Sequence, residues 1–219
     1  MRLIVFGATG PTGICLVRKC LTALPSATIV LYVRSPGKLP HDIAVNPAVI
    51  VIEGLLDNVD AMSNAIKNAN IVLSALGPTG PIYPSNTPLA GAYTRIIDLM
   101  HQHNIRRLIC LGATSIKDSN DKHSVTFSLL INGVAIFAKN AYNDMVAIGD
   151  TIRSMGGDLD WTIARVPLLT NSKTSDIVAG YVGDGKTGAF LSREGFATFV
   201  LGEIEGKEWI QKAPLVSST

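Results

Sequence analysis

Gly7, Gly10 and Gly13 stand directly behind the apolar run Leu3-Ile4-Val5-Phe6 and ahead of the helical stretch Ile14-Cys15-Leu16-Val17-Arg18-Lys19. That order is strand, glycine-rich turn and helix N-terminus. Gly7 suits a tight turn, Gly10 lets a ligand approach the backbone, and Gly13 lets helix and strand pack closely. The unpaired N–H groups of the helix start, with the positive end of its dipole, attract an anion. The placement between strand and helix predicts a dinucleotide pyrophosphate cradled by Gly7, Thr9, Gly10, Pro11, Thr12 and Gly13.

About twenty residues past this turn, a site that takes the ribose 2′-hydroxyl places an acid at the end of the second strand. Here the strand ends Leu31-Tyr32-Val33-Arg34-Ser35. Arg34 offers a planar fork for a 2′-phosphate, with Ser35 and Lys38 near enough to assist, so the expected cofactor is NADP(H). The alternative is a solvated charge at a strand end. Further on, Ser74-Ala75-Leu76-Gly77-Pro78-Thr79-Gly80-Pro81-Ile82-Tyr83-Pro84 reads as a stiff loop at a strand end. Ala75, Leu76 and Gly77 are expected to meet the nicotinamide half of the cofactor through backbone groups. Two readings of Tyr83 stand: a cap over the substrate, or an exposed loop aromatic. Thr114 and Ser115, behind Arg107–Leu111, are the hydroxyls best placed to bond a substrate, or else an ordinary turn. The four histidines make no metal-ligand spacing, and no metal site is expected.

These residues need a scaffold that gathers strand ends. The runs 28–33, 48–52, 70–76, 107–111 and 161–165 are rich in Val, Ile and Leu without alternation, as in strands buried on both faces. Helical periodicity covers 13–24, 57–68, 88–102 and 140–155. Strand alternating with helix predicts one α/β Rossmann-like domain over residues 1–219, a doubly wound, mostly parallel sheet with helices on both faces. Its ligands bind beyond the carboxyl ends of the strands, with the substrate pocket formed by the loops and the C-terminal segment.

With 47% apolar residues, disorder is implausible, and a net charge of +2 with no basic run beyond Arg106-Arg107 does not indicate a nucleic-acid footprint, so no nucleic-acid partner is expected. A small-molecule substrate is expected instead. Cys15, Cys20 and Cys110 form no disulfide framework and read as reduced, buried thiols. The first strand begins at once, leaving no room for a signal peptide, so a cytoplasmic location is expected. The apolar stretch 125–138 falls short of the roughly 20 residues of a spanning helix. It reads as a buried or interface helix, not a membrane segment; Phe127, Leu129, Leu130, Ile131, Val134, Ile136 and Phe137 either roof an apolar pocket or meet a second subunit. A monomer or a homodimer is expected, with no membrane partner.

The chain resembles the atypical short-chain dehydrogenase/reductase group of NAD(P)H-binding proteins, NmrA-like proteins and biliverdin-IXβ/flavin reductases among them. The likeness rests on Gly7 to Gly13, Arg34, Val51-Ile52-Glu53-Gly54 with Asp57, Val72 to Gly77, Leu111-Gly112-Ala113-Thr114-Ser115 and Leu159 to Pro167. Leu191-Ser192-Arg193 and Glu208 to Pro214 look like that group's closing helix and strand. Leu55 and Gly195 stand where the group often carries Asp. The resemblance implies that Arg165 and Pro167 wall the nicotinamide; a buried Arg paired to a carboxylate is the structural alternative for Arg165. It points again to Thr114 and Ser115 as catalytic hydroxyls.

Short-chain dehydrogenases of the larger family use a Tyr with a Lys four residues later, the Lys easing the phenol's proton transfer. No Tyr here has one: at that spacing stand Pro36, Thr87, Ile97, Val146 and Gly185. That suits hydride transfer to electron-poor acceptors such as flavins, quinones, tetrapyrroles or aromatic natural products. The alternatives are an NADP(H)-binding redox sensor without turnover, or a non-redox isomerase or cyclase on the same fold.

Overall fold

Each of the five apolar runs forms a strand, and a sixth precedes them. The computed structural model describes residues 1–80 and 82–219; Pro81, counted above in the stiff loop, lies outside the described residues. Strands β1 (Arg2–Phe6), β2 (Thr28–Val33), β3 (Val49–Glu53), β4 (Ile71–Ser74), β5 (Arg107–Ala113) and β6 (Asp160–Val166) run parallel. Leu3, Ile4, Val5 and Phe6 of the central strand are wholly buried. At the sheet edge β3 has the same apolar composition, yet its Ile50 is 40% exposed because no strand covers that side.

Between them lie α1 (Pro11–Ala23), α2 (His41–Ala44), α3 (Val59–Ile66), α4 (Pro88–Gln102), α5 (Val125–Phe137) and α6 (Lys139–Met155). Then come β7 (Leu168–Thr170), β8 (Ile177–Gly180), β9 (Phe190–Ser192), α7 (Arg193–Gly206) and β10 (Leu215–Ser218). The sheet order is β3-β2-β1-β4-β5-β6-β10-β8. Winding reverses at β1, between β2 and β4, so the crevice at the ends of β1 and β4 is the topological switch point. Helix α1 packs against α7, while α4 packs against α3 and α6, which gives the two helical layers. The fold is the expected doubly wound α/β sheet, mostly parallel because β8 runs antiparallel to β10.

Local chemistry sets the boundaries. Helix α1 begins two residues before the periodic pattern because Pro11, with its fixed φ and missing N–H, fits the first helical position. Helix α3 begins at Val59 because the Asn58 side chain accepts from the Ala61 amide at 3.0 Å. At the amino edge, the buried Arg107–Glu203 pair (2.9 Å) ties β5 to α7, and Arg107 also donates to the Thr162 hydroxyl at 2.8 Å on β6.

Two expectations meet a different outcome. The C-terminal segment supplies four strands, not one, with β7 and β9 pairing in a separate parallel ribbon. Of the apolar residues on α5, only Phe127 is buried, so the helix is not a core helix. No single helix among the described residues is long and apolar enough to cross a membrane.

Candidate functional site

The glycine turn closes against the fourth strand. Gly7 has φ of +77°, and a Cβ there would lie 2.7 Å from the Ala75 carbonyl carbon and 2.9 Å from the Leu76 amide. Both conformation and space demand glycine. A Cβ on Gly13 would drive into the Gly7 carbonyl oxygen and sit 2.8 Å from the Ala8 Cα, so this glycine lets α1 pack on the turn. Gly10 differs: its nearest neighbour would be 3.6 Å away, leaving one face open to a ligand.

Gly10 caps α1 without a side chain, and its carbonyl accepts from the Ile14 amide at 2.9 Å. The Thr12 and Gly13 amides therefore precede the first intrahelical bond, and no acid occupies the first turn to neutralise the helix's positive end. Thr9 is half-buried, Pro11 exposed and Thr12 buried. The Thr12 hydroxyl has no partner among the described residues. Free amides, a free hydroxyl and an open Gly10 face fit a pyrophosphate.

At the end of β2, Arg34 is exposed and makes no ion pair or hydrogen bond among the described residues. Ser35 opens the 3-10 turn Pro36–Lys38 without using its hydroxyl, and Lys38 is exposed beside it. Beneath them the Tyr32 hydroxyl donates to the Leu55 carbonyl at 2.8 Å, and its ring takes the space where Gly54 would need a Cβ. Burial pushes the Tyr32 phenol up, helped by the charge of Asp57. Leu55, whose carbonyl takes the Tyr32 bond, keeps its own apolar side chain half-exposed.

The loop after β4 is bolted to α6. The Tyr83 hydroxyl donates to Asp144 at 2.5 Å, and Asn140 Nδ2 donates to the Tyr83 carbonyl at 2.8 Å. Asp144, wholly buried, also accepts from the Leu89 and Ala90 amides, both at 2.9 Å, and so caps α4 from a neighbouring helix. Burial and then the Asp144 carboxylate push the Tyr83 phenol well above its ordinary range. Tyr83 is thus not an exposed loop aromatic: it is half-buried, its hydroxyl is engaged, and it anchors the loop. Ala75, Leu76 and Gly77 lie half-buried on the site side of this anchor, with the Ala75 amide bonded to the Phe6 carbonyl at 2.9 Å.

Thr114 and Ser115 are the central residues of a turn closed by the Ile116 amide on the Ala113 carbonyl at 3.0 Å. Thr114 is half-buried and Ser115 is 7% exposed; neither hydroxyl has a protein partner among the described residues. Arg165 takes the structural alternative, a buried Arg paired to a carboxylate. Its side chain is fully inaccessible, with one guanidinium nitrogen donating to the Ile116 carbonyl at 2.9 Å and to Asp121 at 2.6 Å, and the other to Asp121 at 2.8 Å. A guanidinium this deep requires a carboxylate, and Asp121 supplies it. Asp121 also accepts from the Asp118 and Val182 amides. Burial alone would raise the Asp121 carboxyl, but Arg165 and these amides outweigh it and hold it below its usual value. Arg165 is a strut beneath the Thr114–Ser115 turn, which walls the site indirectly.

Pro167 is half-buried at the end of β6. Beyond it Leu168 of β7 sits in register with Phe190 of β9, 46% and 58% exposed, a pair of bare apolar side chains at the sheet's carboxyl end. Sequence reasoning missed Asp121, Asp144 and Phe190. The first was signalled by an Arg inside an apolar strand, which needs an acid from the polar loop behind Ser115; Phe190 lay in an unpatterned stretch.

Two clefts lie elsewhere. One, of about 340 Å³, is lined by Met100, Ile105, Arg106 and Leu159 at the amino edge of β5 and β6; the other, about 290 Å³, lies between α1 and Glu194. Neither includes the glycine turn or the strand ends with unpaired donors, so cleft size does not mark the site here. Burial pushes the Cys20 and Cys110 thiols up to about 12, leaving them inert; Cys15, only half-buried, is raised likewise by burial and Glu194. No cluster of metal-binding side chains occurs among the described residues.

A family model described as NAD(P)H-binding matches residues 7–206. No curated protein matches the chain by sequence. Among solved structures, a short-chain dehydrogenase/reductase from Veillonella parvula in complex with NADP superposes with a TM-score of 0.81 at 19% identity, over 99% of this chain and 94% of that one. ChuY, an anaerobillin reductase from Escherichia coli O157:H7, gives 0.77 at 17% identity over 100% and 97%. The oxidoreductase ylbE from Lactococcus lactis gives 0.77 at 16% over 100% and 91%. At these identities the likeness is one of fold.

Proposed function

The chain belongs to the NAD(P)H-binding family, and we propose that within it the protein is an NADPH-dependent reductase that delivers a hydride to a conjugated acceptor. The observation that carries the cofactor choice is Arg34, exposed and unpaired at the end of β2 with no acid at that position. Thr12 and Gly13 would hold the pyrophosphate, and Arg34, Ser35 and Lys38 the 2′-phosphate. Ala75, Leu76, Gly77 and Pro167 would position the nicotinamide.

Bound there, the cofactor supplies the hydride; the protein's share is orientation and exclusion of water. Thr114 and Ser115 present unpaired hydroxyls to bond an acceptor's heteroatom, and Leu168 with Phe190 offers an apolar surface for a flat ring system. Among the described residues the tyrosine route to a proton is closed, since the Tyr83 hydroxyl is held by Asp144 and Tyr142 has Val146, not Lys, four residues on. The acceptor must then stabilise negative charge itself and take its proton from water, which favours flavins, quinones and tetrapyrroles. ChuY, of the same fold, is an anaerobillin reductase. The missing donor equally supports a second reading, an NADP(H)-binding sensor without turnover.

Loss of NADPH absorbance in the presence of flavins, quinones and biliverdin, with binding measured alongside, separates the two. Acceptor-dependent consumption supports the reductase. Tight binding with no acceptor consumed supports the sensor.

A further inference from the structure

Helix α5 is apolar on both of its faces. The inner face is used over its first two turns, with Phe127, Leu130 and Ile131 packed against Val182 and Leu215, while Val134 further along it is 47% exposed. The outer face is not. Val125, Leu129, Asn132 and Ile136 recur at the spacing that aligns side chains on one face of a helix. Of these, Val125, Leu129 and Ile136 are 65%, 69% and 73% exposed, and Phe137 at the helix end is 89% exposed. The thirteen residues of α5 include no charged side chain. A helix on the outside of a monomer ordinarily turns a polar face to water.

We propose that this outer face is the interface with a second copy of the chain, two α5 helices packing across a two-fold axis near Asn132. Area is the first argument: the four exposed apolar side chains leave roughly 500 Å² bare per copy, at the upper end for a monomer's largest patch. Joining the two stripes removes roughly 700 Å², and covering the Phe137 rings a quarter-turn round at the helix ends brings the total to about 1,000 Å², the threshold of a specific interface. Asn132 is the second. Its amide has no partner among the described residues and lies inside the apolar stripe; across a two-fold axis it meets its own copy and can pair, a device that also fixes register. Third, a Cβ on Gly133 would meet nothing within 4 Å, so the backbones are free to approach there. The exposed Lys122, His123 and Lys139 lie at the helix ends, where a polar rim belongs. A lipid surface fits less well, because an interfacial helix carries Lys or Arg along its length and would leave the Asn132 amide desolvated.

Sedimentation equilibrium of the full chain at micromolar concentrations tests this. The expected mass is twice 23.2 kDa, falling to 23.2 kDa for Leu129→Glu and Ile136→Glu with unchanged circular dichroism. Should either glutamate variant misfold, Asn132→Cys gives an independent reading: mild oxidation is expected to link position 132 to its own copy. A wild-type monomer with no 132–132 cross-link overturns the proposal, as does a dimer that both glutamate variants leave intact. Monomers that bind phosphatidylglycerol vesicles through α5 would assign the face to membrane instead.

Discussion

Replacing Arg34 by Ala removes an exposed side chain that makes no hydrogen bond or ion pair among the described residues, so its effect reports chiefly on ligand. A charge-assisted hydrogen bond contributes about 1.5–3 kcal/mol, and a guanidinium can give a phosphate two in parallel. The exposure of Arg34 places this contact at the water-facing rim, where screening favours the lower part of that range. At about 1.4 kcal/mol per decade, NADPH affinity should fall roughly tenfold to a hundredfold, while NADH affinity stays within about a factor of two. Arg34→Lys should recover part of the loss, since it keeps the charge but not the planar fork. Discrimination between the two cofactors should also shrink as salt rises. Isothermal titration calorimetry of both dinucleotides against the wild-type and variant proteins measures all of this. Equal losses for NADPH and NADH, or none for NADPH, would refute the assignment of Arg34 to the 2′-phosphate.

Asp121→Ala should lower the unfolding free energy in urea by about 3–5 kcal/mol, because it strands the buried Arg165 guanidinium. The Asp121 carboxyl lies below its ordinary value near 3.9, so its stabilising contribution is complete above that pH and fades as pH drops through the lower folded value. Wild type and Asp121→Asn should therefore differ at neutral pH and converge in acid; a constant gap down to acid unfolding would contradict the sign. Gly7→Ala combines a positive φ with contact on the Ala75 backbone, and should abolish dinucleotide binding and cost at least about 1–3 kcal/mol of stability. Tyr83→Phe should cost about 1–3 kcal/mol by removing one donor from buried Asp144, yet leave the pH profile of any turnover unshifted. A shifted profile would make Tyr83 a proton carrier, not an anchor.

The glycine turn and the end of β2 were legible because their signals are local. Gly7, Gly10 and Gly13 occupy fixed places between one strand and one helix, and Arg34 follows its strand directly. Strand positions were equally plain, since β1, β2, β4 and β5 are buried on both faces and read as unbroken apolar runs. What escaped was long-range. Asp121 meets Arg165 across 44 positions and Asp144 meets Tyr83 across 61, and nothing in either neighbourhood names the partner. The short strands β7, β8 and β9 have too few residues to show a period. Helix α5 was visible as an apolar stretch, but periodicity cannot say whether a largely apolar helix is covered by its own chain.

Hydride transfer itself is the central claim, and NADPH deuterated at the nicotinamide C4 tests it most directly. In a single turnover with biliverdin, a flavin or a quinone under anaerobic conditions, mass spectrometry follows the label. The account predicts an NADP⁺ product with deuterium carried to the acceptor at the site of hydride attack for biliverdin, and a primary isotope effect on the transfer with each acceptor that turns over. Intact labelled NADPH, bound tightly beside every acceptor and never oxidised, would contradict it.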